Sequence, residues 1–323
     1  MAQPAPYAST PYASTLAADA ARVAELAAIA SYAQIGRGDE KAADQLAVDA
    51  MRTALNALDI DGKIVIGEGE RDEAPMLYIG EKVGTGKGPA IDIALDPLEG
   101  TTLTAKAMAN ALTVLAMSPG GGMLHAPDTY MDKIAIGPGY APGTVDLDMN
   151  PQDNVRSLAS AKGVKPEDIT VCVMDRPRHA ELIAALREVG ARVLLITDGD
   201  VAGVIHTAEP ETGIDLYLGS GGAPEGVLAA AALKCVGGHF QGRLTFRNDV
   251  ERERARKTGV TDFDRKYDLH ELVSKDAVFA ATGVTKGAML DGVQVHGGLV
   301  TTHTLVMDSS TRTVQRIRTT RPF

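Results

Sequence analysis

Apolar residues recur at helical spacing over Leu16 to Ala33, where Val23, Leu26, Ile29 and Ala30 form one stripe. Gly36-Arg37-Gly38 breaks that pattern. It resumes from about Glu40 to Leu58, with Ala43, Leu46, Ala47, Ala50, Met51, Ala54, Leu55 and Leu58 on one side. Two helices are predicted. Asp44 sits beside the second stripe, so its carboxylate is either a solvated edge group or one aimed into a cleft. Short apolar runs follow at Lys63–Gly67, Ile91–Leu95, Asn110–Met117 and Met131–Ile136, each the length of a buried strand. Beyond them the pattern alternates. Strands are predicted at Ile169–Met174, Arg192–Ile196 and Ile214–Leu218, and helices at His179–Val189, Val201–Thr207 and Glu225–Val236. Such alternation predicts an α/β protein with a mainly parallel sheet covered by helices. From Ser274 onward the chain reads as short strands with a Gly-Gly turn at 297–298.

The stretch 138–151 carries three prolines and two glycines and is the expected boundary between two domains, 16–150 and 151–323. Residues 1–15, with Pro-Tyr-Ala-Ser-Thr doubled at 6–10 and 11–15, read as a disordered tail.

The strand ends carry the chemistry, since ligands of an open α/β sheet gather at the carboxyl ends of its strands. Lys63–Gly67 runs into Glu68-Gly69-Glu70-Arg71-Asp72-Glu73, four acids in six residues, which form either a solvated loop or a ligand loop. Ile91–Leu95 runs into Asp96-Pro97-Leu98-Glu99-Gly100-Thr101. Proline offers no N–H, so Asp96-Pro97 is expected to end the strand. Asp96 and Glu99 can then converge on one cation while the Gly100 and Thr101 N–H groups face an anion; an ordinary acidic turn is the plainer alternative. In the second half the strand ends carry Asp175-Arg176-Pro177-Arg178, Asp198-Gly199-Asp200 and Gly221-Gly222-Ala223-Pro224-Glu225.

The acids Asp44, Glu68, Asp72, Asp96, Glu99 and Glu225 come with no His/Cys cluster. That disfavours structural zinc and favours Mg²⁺ or Mn²⁺, two or more per site. Paired cations suit in-line displacement at phosphorus, and Thr101 is placed to orient an attacking water. Arg176 and Arg178, flanking Pro177, match phosphate oxygens with their forks. A substrate with one phosphate at the metals and one at the arginines accounts for both ends. Asp198 and Asp200 can accept from sugar hydroxyls.

Composition narrows the alternatives. The 323 residues carry a net charge of −10, which argues against a nucleic-acid surface. Two distant cysteines, Cys172 and Cys235, in apolar surroundings read as buried free thiols. No run of 18 apolar residues occurs, so no membrane span is expected, and a cytoplasmic protein is. Neither a Gly-x-x-x-x-Gly-Lys-Ser/Thr loop nor Gly-x-Ser-x-Gly is present, which leaves P-loop and Ser-His-Asp hydrolysis without support.

Ile64–Glu70, Asp72–Leu77, Asp96–Thr101 and Gly221–Gly226 together closely resemble class II fructose-1,6-bisphosphatases, within the lithium-sensitive, metal-dependent sugar phosphatases. The likeness runs from about Ile29 to Arg318. It implies the sugar-phosphatase fold: layered helices and sheets in two domains with the site between them. Metal ligands would be Asp44, Glu68, Asp96, Glu99 and Glu225. Asp72 and Thr101 would activate water. The phosphosugar would touch Glu99, Gly100, Thr101, Tyr130, Arg176, Pro177, Arg178, Asp198, Gly199, Asp200 and Gly222. The implied reaction releases the 1-phosphate of fructose 1,6-bisphosphate by direct attack of metal-bound water, with no phosphoenzyme. Sedoheptulose 1,7-bisphosphate is the alternative substrate, and a non-catalytic phosphosugar sensor the alternative class. The other expected partner is a second copy of the chain, as a dimer or tetramer. The chain departs from the family pattern at Arg176, where lysine is expected, and at Glu40-Lys41, where the family's lysine comes one position earlier.

Overall fold

The computed structural model describes residues 11–69 and 76–323. The first sheet takes β1 (Asp61–Ile66), β2 (Lys82–Val83), β3 (Ala90–Glu99) and β4 (Leu112–Pro119). The second takes β5 (Tyr130–Ile136), β6 (Thr170–Met174), β7 (Arg192–Ile196), β8 (Leu216–Gly222), β9 (His239–Thr245) and β10 (Lys266–Asp268). The chain then returns to the first sheet with β11 (Val278–Gly283), β12 (Gln294–His296), β13 (Leu299–Asp308) and β14 (Thr313–Pro322). The first sheet has the order β12-β13-β11-β4-β3-β1-β2, with β14 on β13, and the second β10-β9-β5-β8-β6-β7.

The helices are α1 (Pro11–Tyr32), α2 (Glu40–Asn56), α3 (Thr101–Ala105), α4 (Pro151–Lys162), α5 (Ala180–Glu188), α6 (Asp200–Ile205), α7 (Ala223–Val236), α8 (Asp249–Lys257) and α9 (Leu269–Leu272). Period-2 alternation sorts each strand's side chains between layers. On β11, Val278 and Ala280 pack with Ala24 and Ala28 of α1 and Ala47 and Met51 of α2. Phe279 and Ala281 face the other way, into a core with Val227, Ala230 and Leu233 of α7. On β5, Met131 and Ala135 join that same core, while Ile134 and Ile136 pack with Val155 and Leu158 of α4 and Ile183 and Leu186 of α5. The order of layers is helix, sheet, helix, sheet, helix. A helix held between two sheets must be apolar all round, and the run Gly226–Leu233 in α7 is.

The layered α/β architecture expected from the sequence is present, with three differences. The second sheet is mixed: β6 runs parallel to β7 and β8, but β5 is antiparallel to β8 and β9, and β9 to β10. Helix α1 begins at Pro11, so the second Pro-Tyr-Ala-Ser-Thr copy is helical rather than tail, as suits a proline at the first helical position before an alanine-rich run. The chain crosses to the second sheet before β5, ahead of the proline-rich stretch at 138–151, and crosses back before β11. Asn150 there caps α4, accepting from the Asp153 N–H at 2.8 Å, with Pro151 following. Cys172 and Cys235 are free and buried. Among the described residues no helix is long and apolar enough to cross a membrane.

Candidate active site

Five strand ends converge on one cavity of ≈ 480 Å³ between the sheets. The end of β1 supplies Glu68, β3 supplies Asp96 and Glu99, β6 supplies Arg176 and Arg178, β7 supplies Asp198 and Asp200, and β8 leads into Glu225 on α7. Asp44 reaches in from α2. Asp39 caps that helix by accepting the Ala42 N–H at 2.9 Å, which fixes the helix start one turn before Asp44.

The Asp-Pro turn does not end its strand. Asp96 pairs with Val114 and Glu99 with Leu112, so β3 spends three steps where β4 spends two. This is a bulge with Pro97 inside it, and an unpaired bulge position needs no N–H. The ladder thus resumes at Glu99, which fixes both carboxylates on one rigid strand. The Leu98 N–H donates to Asp96 Oδ1 at 3.0 Å. The Val201 N–H, from α6, donates to Glu99 Oε1 at 3.1 Å, tying the two sheets together at the site.

The acids raise one another's affinity for protons. Glu68 is pushed up to about 7, first by burial and then by the charge of Asp44. Asp96 is held well above the carboxylate range by burial, then by Glu68 and Glu225. Glu99 is likewise raised by burial, then by Asp96 and Asp200. Burial also raises Asp44 and, together with Asp200, Glu225. Buried Oε2 atoms of Glu99 and Glu225 have no hydrogen-bond partner among the described residues. Leaving a buried polar atom unpaired costs about 1–3 kcal/mol, more if charged, so these oxygens point to a cationic ligand. The donor set is all oxygen, which fits a hard divalent ion such as Mg²⁺ or Mn²⁺. No three His, Cys, Asp or Glu among the described residues are drawn into one coordination sphere. Like charges in a low dielectric keep their distance, and the five carboxylates share a cavity rather than a point.

Two glycines make the room. A Cβ on Gly221 would lie 2.1 Å from Asp200 Oδ2, and one on Gly222 would lie 2.0 Å from Glu225 Oε2. Gly-Gly is therefore the sequence that lets both carboxylates close on the β8 end.

Next to the Glu225 loop, Tyr130 opens β5 directly beside Gly222. The Arg178 guanidinium carbon lies 4.9 Å, and that of Arg247 5.1 Å, from its ring centroid. Arg178 also places Nε and Nη2 on the Ser220 carbonyl at 3.1 and 2.7 Å. Arg176 donates through Nη1 to the Asp175 carbonyl at 3.3 Å.

Of the residues singled out in the sequence, Asp44, Glu68, Asp96, Glu99, Gly100, Thr101, Tyr130, Arg176, Arg178, Asp198, Asp200, Gly222 and Glu225 line the cavity. Pro177 and Gly199 do not line it. Asp72 lies outside the described residues. Asp200 lines the cavity but is 6% exposed and also pairs with Lys133 Nζ at 2.5 Å. Sequence reading passed over Asp128, Lys133 and Arg247. Lys133 had a signal: in the strand Tyr130–Ile136 it falls on the period-2 face of the apolar Met131 and Ala135.

A profile of the family described as bacterial fructose-1,6-bisphosphatase, glpX-encoded, matches residues 14–321. The chain belongs to that family. It is 47% identical over 316 residues to fructose-1,6-bisphosphatase 1 class 2 of Escherichia coli (strain K12), covering 94% of each chain. It is equally 47% identical over 322 residues to D-fructose 1,6-bisphosphatase class 2/sedoheptulose 1,7-bisphosphatase of Synechococcus sp. (strain JA-3-3Ab), covering 92% of each. A solved inositol monophosphatase from Anabaena (Nostoc) sp. PCC 7120 superposes with a TM-score of 0.32 at 12% identity, over 60% of this chain and 71% of its own, too loosely to carry an argument.

Proposed function

We propose that the protein is a metal-dependent phosphatase that removes the 1-phosphate of fructose 1,6-bisphosphate, leaving fructose 6-phosphate. Membership of the bacterial fructose-1,6-bisphosphatases supports the reaction. The observation that carries the site assignment is the mixed lining of one cavity: buried oxygens of Glu99 and Glu225 without a hydrogen-bond partner among the described residues, together with Arg176 and Arg178. A sugar with two phosphates, one met by cations at the acids and one by the arginines, matches that lining.

In this reading Asp44, Glu68, Asp96, Glu99 and Glu225 hold two or more Mg²⁺ or Mn²⁺ ions. Bound there, the ions offset charge on the transferring phosphoryl group and acidify water. The chain's own residues do the rest. Gly100 and Thr101 hold the reacting phosphate at the end of β3, with the Thr101 hydroxyl orienting the attacking water. Asp72 takes the proton of that water. Arg176 and Arg178 fix the distal phosphate, Tyr130 walls the sugar, and Asp198 accepts from its hydroxyls. Holding both ends of one substrate aligns the reacting bond at the acids, which is how remote binding energy lowers a barrier.

A second reading has the Synechococcus relative in its favour, whose name carries both bisphosphatase activities at the same identity. Phosphate release with Mn²⁺ or Mg²⁺, on fructose 1,6-bisphosphate and sedoheptulose 1,7-bisphosphate side by side with fructose 6-phosphate as control, tests both. Turnover of a bisphosphate but not of the monophosphate supports the two-phosphate site, and turnover of both ketoses supports the dual activity. Ion binding without turnover of either bisphosphate overturns the enzyme reading in favour of a phosphosugar sensor.

A further inference from the structure

We propose that His179 is a positioning residue: with its proton on Nδ1, it clamps the arginine turn to the loop that carries Glu225. The inference rests on the bisphosphatase reading above and concerns how the arginine turn is held, not a group that touches substrate or metal. His179 is 3% exposed. Its Nδ1 lies 2.7 Å from the Met174 carbonyl, the last residue of β6. A carbonyl only accepts, so Nδ1 carries the proton. Its Nε2 lies 2.8 Å from the Ser220 backbone nitrogen, whose N–H only donates, so Nε2 is bare. Burial lowers the imidazole's proton affinity, consistent with that single-proton form.

The neighbouring Arg178 holds the next peptide unit, through the carbonyl of the same Ser220. Consecutive residues of the Pro177–His179 turn thus grip the N–H and the C=O of Ser220. Gly219 lets the strand close on the imidazole, since a Cβ there would lie 3.3 Å from Cε1 and from Nε2. Ser220 leads through Gly221 and Gly222 into α7 and Glu225. The arginines that meet one phosphate and the carboxylate assigned to the other are therefore held as one piece. A buried imidazole needs partners for both nitrogens, and here both lie on the two strand ends that bound the site.

Two substitutions separate the ring nitrogens. His179→Asn keeps a donor near Nδ1 and loses the acceptor for Ser220. His179→Gln places an amide oxygen near Nε2. Steady-state kinetics with Mn²⁺ on fructose 1,6-bisphosphate and on p-nitrophenyl phosphate, which has no second phosphate, read the clamp. His179→Asn is expected to raise KM for the bisphosphate about tenfold, the loss of roughly one buried hydrogen bond. kcat/KM for p-nitrophenyl phosphate should stay within about twofold of wild type, and His179→Gln should recover most of the loss. Equal losses on both substrates, or an unchanged bisphosphate KM, overturn the clamp. Wild-type protein inactive on the bisphosphate would instead overturn the functional reading. The clamp would then be judged by ¹⁵N NMR of His179 in the wild-type protein: a protonated Nδ1 and bare Nε2 uphold it, and the opposite tautomer or an imidazolium overturns it.

Discussion

Lys133 Nζ lies 2.5 Å from Asp200 Oδ2, and the two residues are 1% and 6% exposed. This ion pair places a fixed cation among acids that otherwise raise one another's proton affinity. The same lysine lowers the proton affinity of Glu225, against burial and Asp200, which raise it. Removing one partner of a buried pair strands the other charge, at a cost of about 3–5 kcal/mol. Lys133→Met is therefore expected to destabilise the protein by about that amount in urea titration. Lys133→Met combined with Asp200→Leu should recover part of the loss. A single variant as stable as wild type would mean that Asp200 is satisfied without the lysine.

The acid cluster sets a pH dependence of stability. Glu68 is raised from 4.5 to about 7 in the folded protein. The native state then holds that proton more tightly than the unfolded chain does. Its contribution is fully present below about pH 4.5 and is lost as pH rises through about 7. The shift corresponds to about 3 kcal/mol for this one group, and Asp96 and Glu99 act in the same direction. Urea unfolding in chelator should show stability falling between pH 5 and pH 8, and added Mg²⁺ should reduce the fall. Stability rising through that window in chelator would contradict the assignment.

The two arginines are expected to separate in kinetics. Among the described residues Arg176 hydrogen-bonds through one nitrogen to the carbonyl of the preceding residue, whereas Arg178 is held through two, so the Arg176 fork is the freer one. Arg176→Ala should raise KM for the bisphosphate on the order of 10- to 150-fold with kcat nearly kept, from the loss of a charge-assisted bond worth about 1.5–3 kcal/mol. Arg178→Ala should raise KM further still, because it removes a fork and also releases the Ser220 carbonyl. An unchanged KM in Arg176→Ala would move the distal phosphate elsewhere.

Gly222 has φ −63°, so alanine there meets no backbone strain. Its Cβ would instead displace the Glu225 carboxylate. Gly222→Ala is expected to weaken Mn²⁺ binding about 10- to 100-fold with a melting temperature close to wild type. Calorimetric titration checks it, and unchanged affinity would show that Glu225 is not a ligand.

Hydrophobic period was enough to place β1, β5, β6, β7 and α5 nearly as found, and the Gly-Gly-Ala-Pro-Glu run gave away the Glu225 loop. What it missed has physical reasons. Pro97 suggested a strand end because proline withholds a donor, but a bulge needs none there. β5 read as a strand of the first domain, yet its hydrogen bonds go to β8 and β9, a pairing no local pattern specifies. The second task of Arg178 was not legible either: its Nε and Nη2 meet a carbonyl 42 positions away, and only the fold brings that carbonyl there.

The most direct test of the account is phosphate release from fructose 1,6-bisphosphate as a function of Mn²⁺ concentration, in wild type and in Glu225→Gln. That substitution keeps the shape of the side chain and removes a charge whose Oε2 has no hydrogen-bond partner among the described residues. The account predicts saturable, chelator-sensitive turnover in wild type, and little or no turnover at the same Mn²⁺ in a variant that melts no lower when metal-free. Full turnover in chelator, or an unchanged Mn²⁺ dependence in Glu225→Gln, would contradict it.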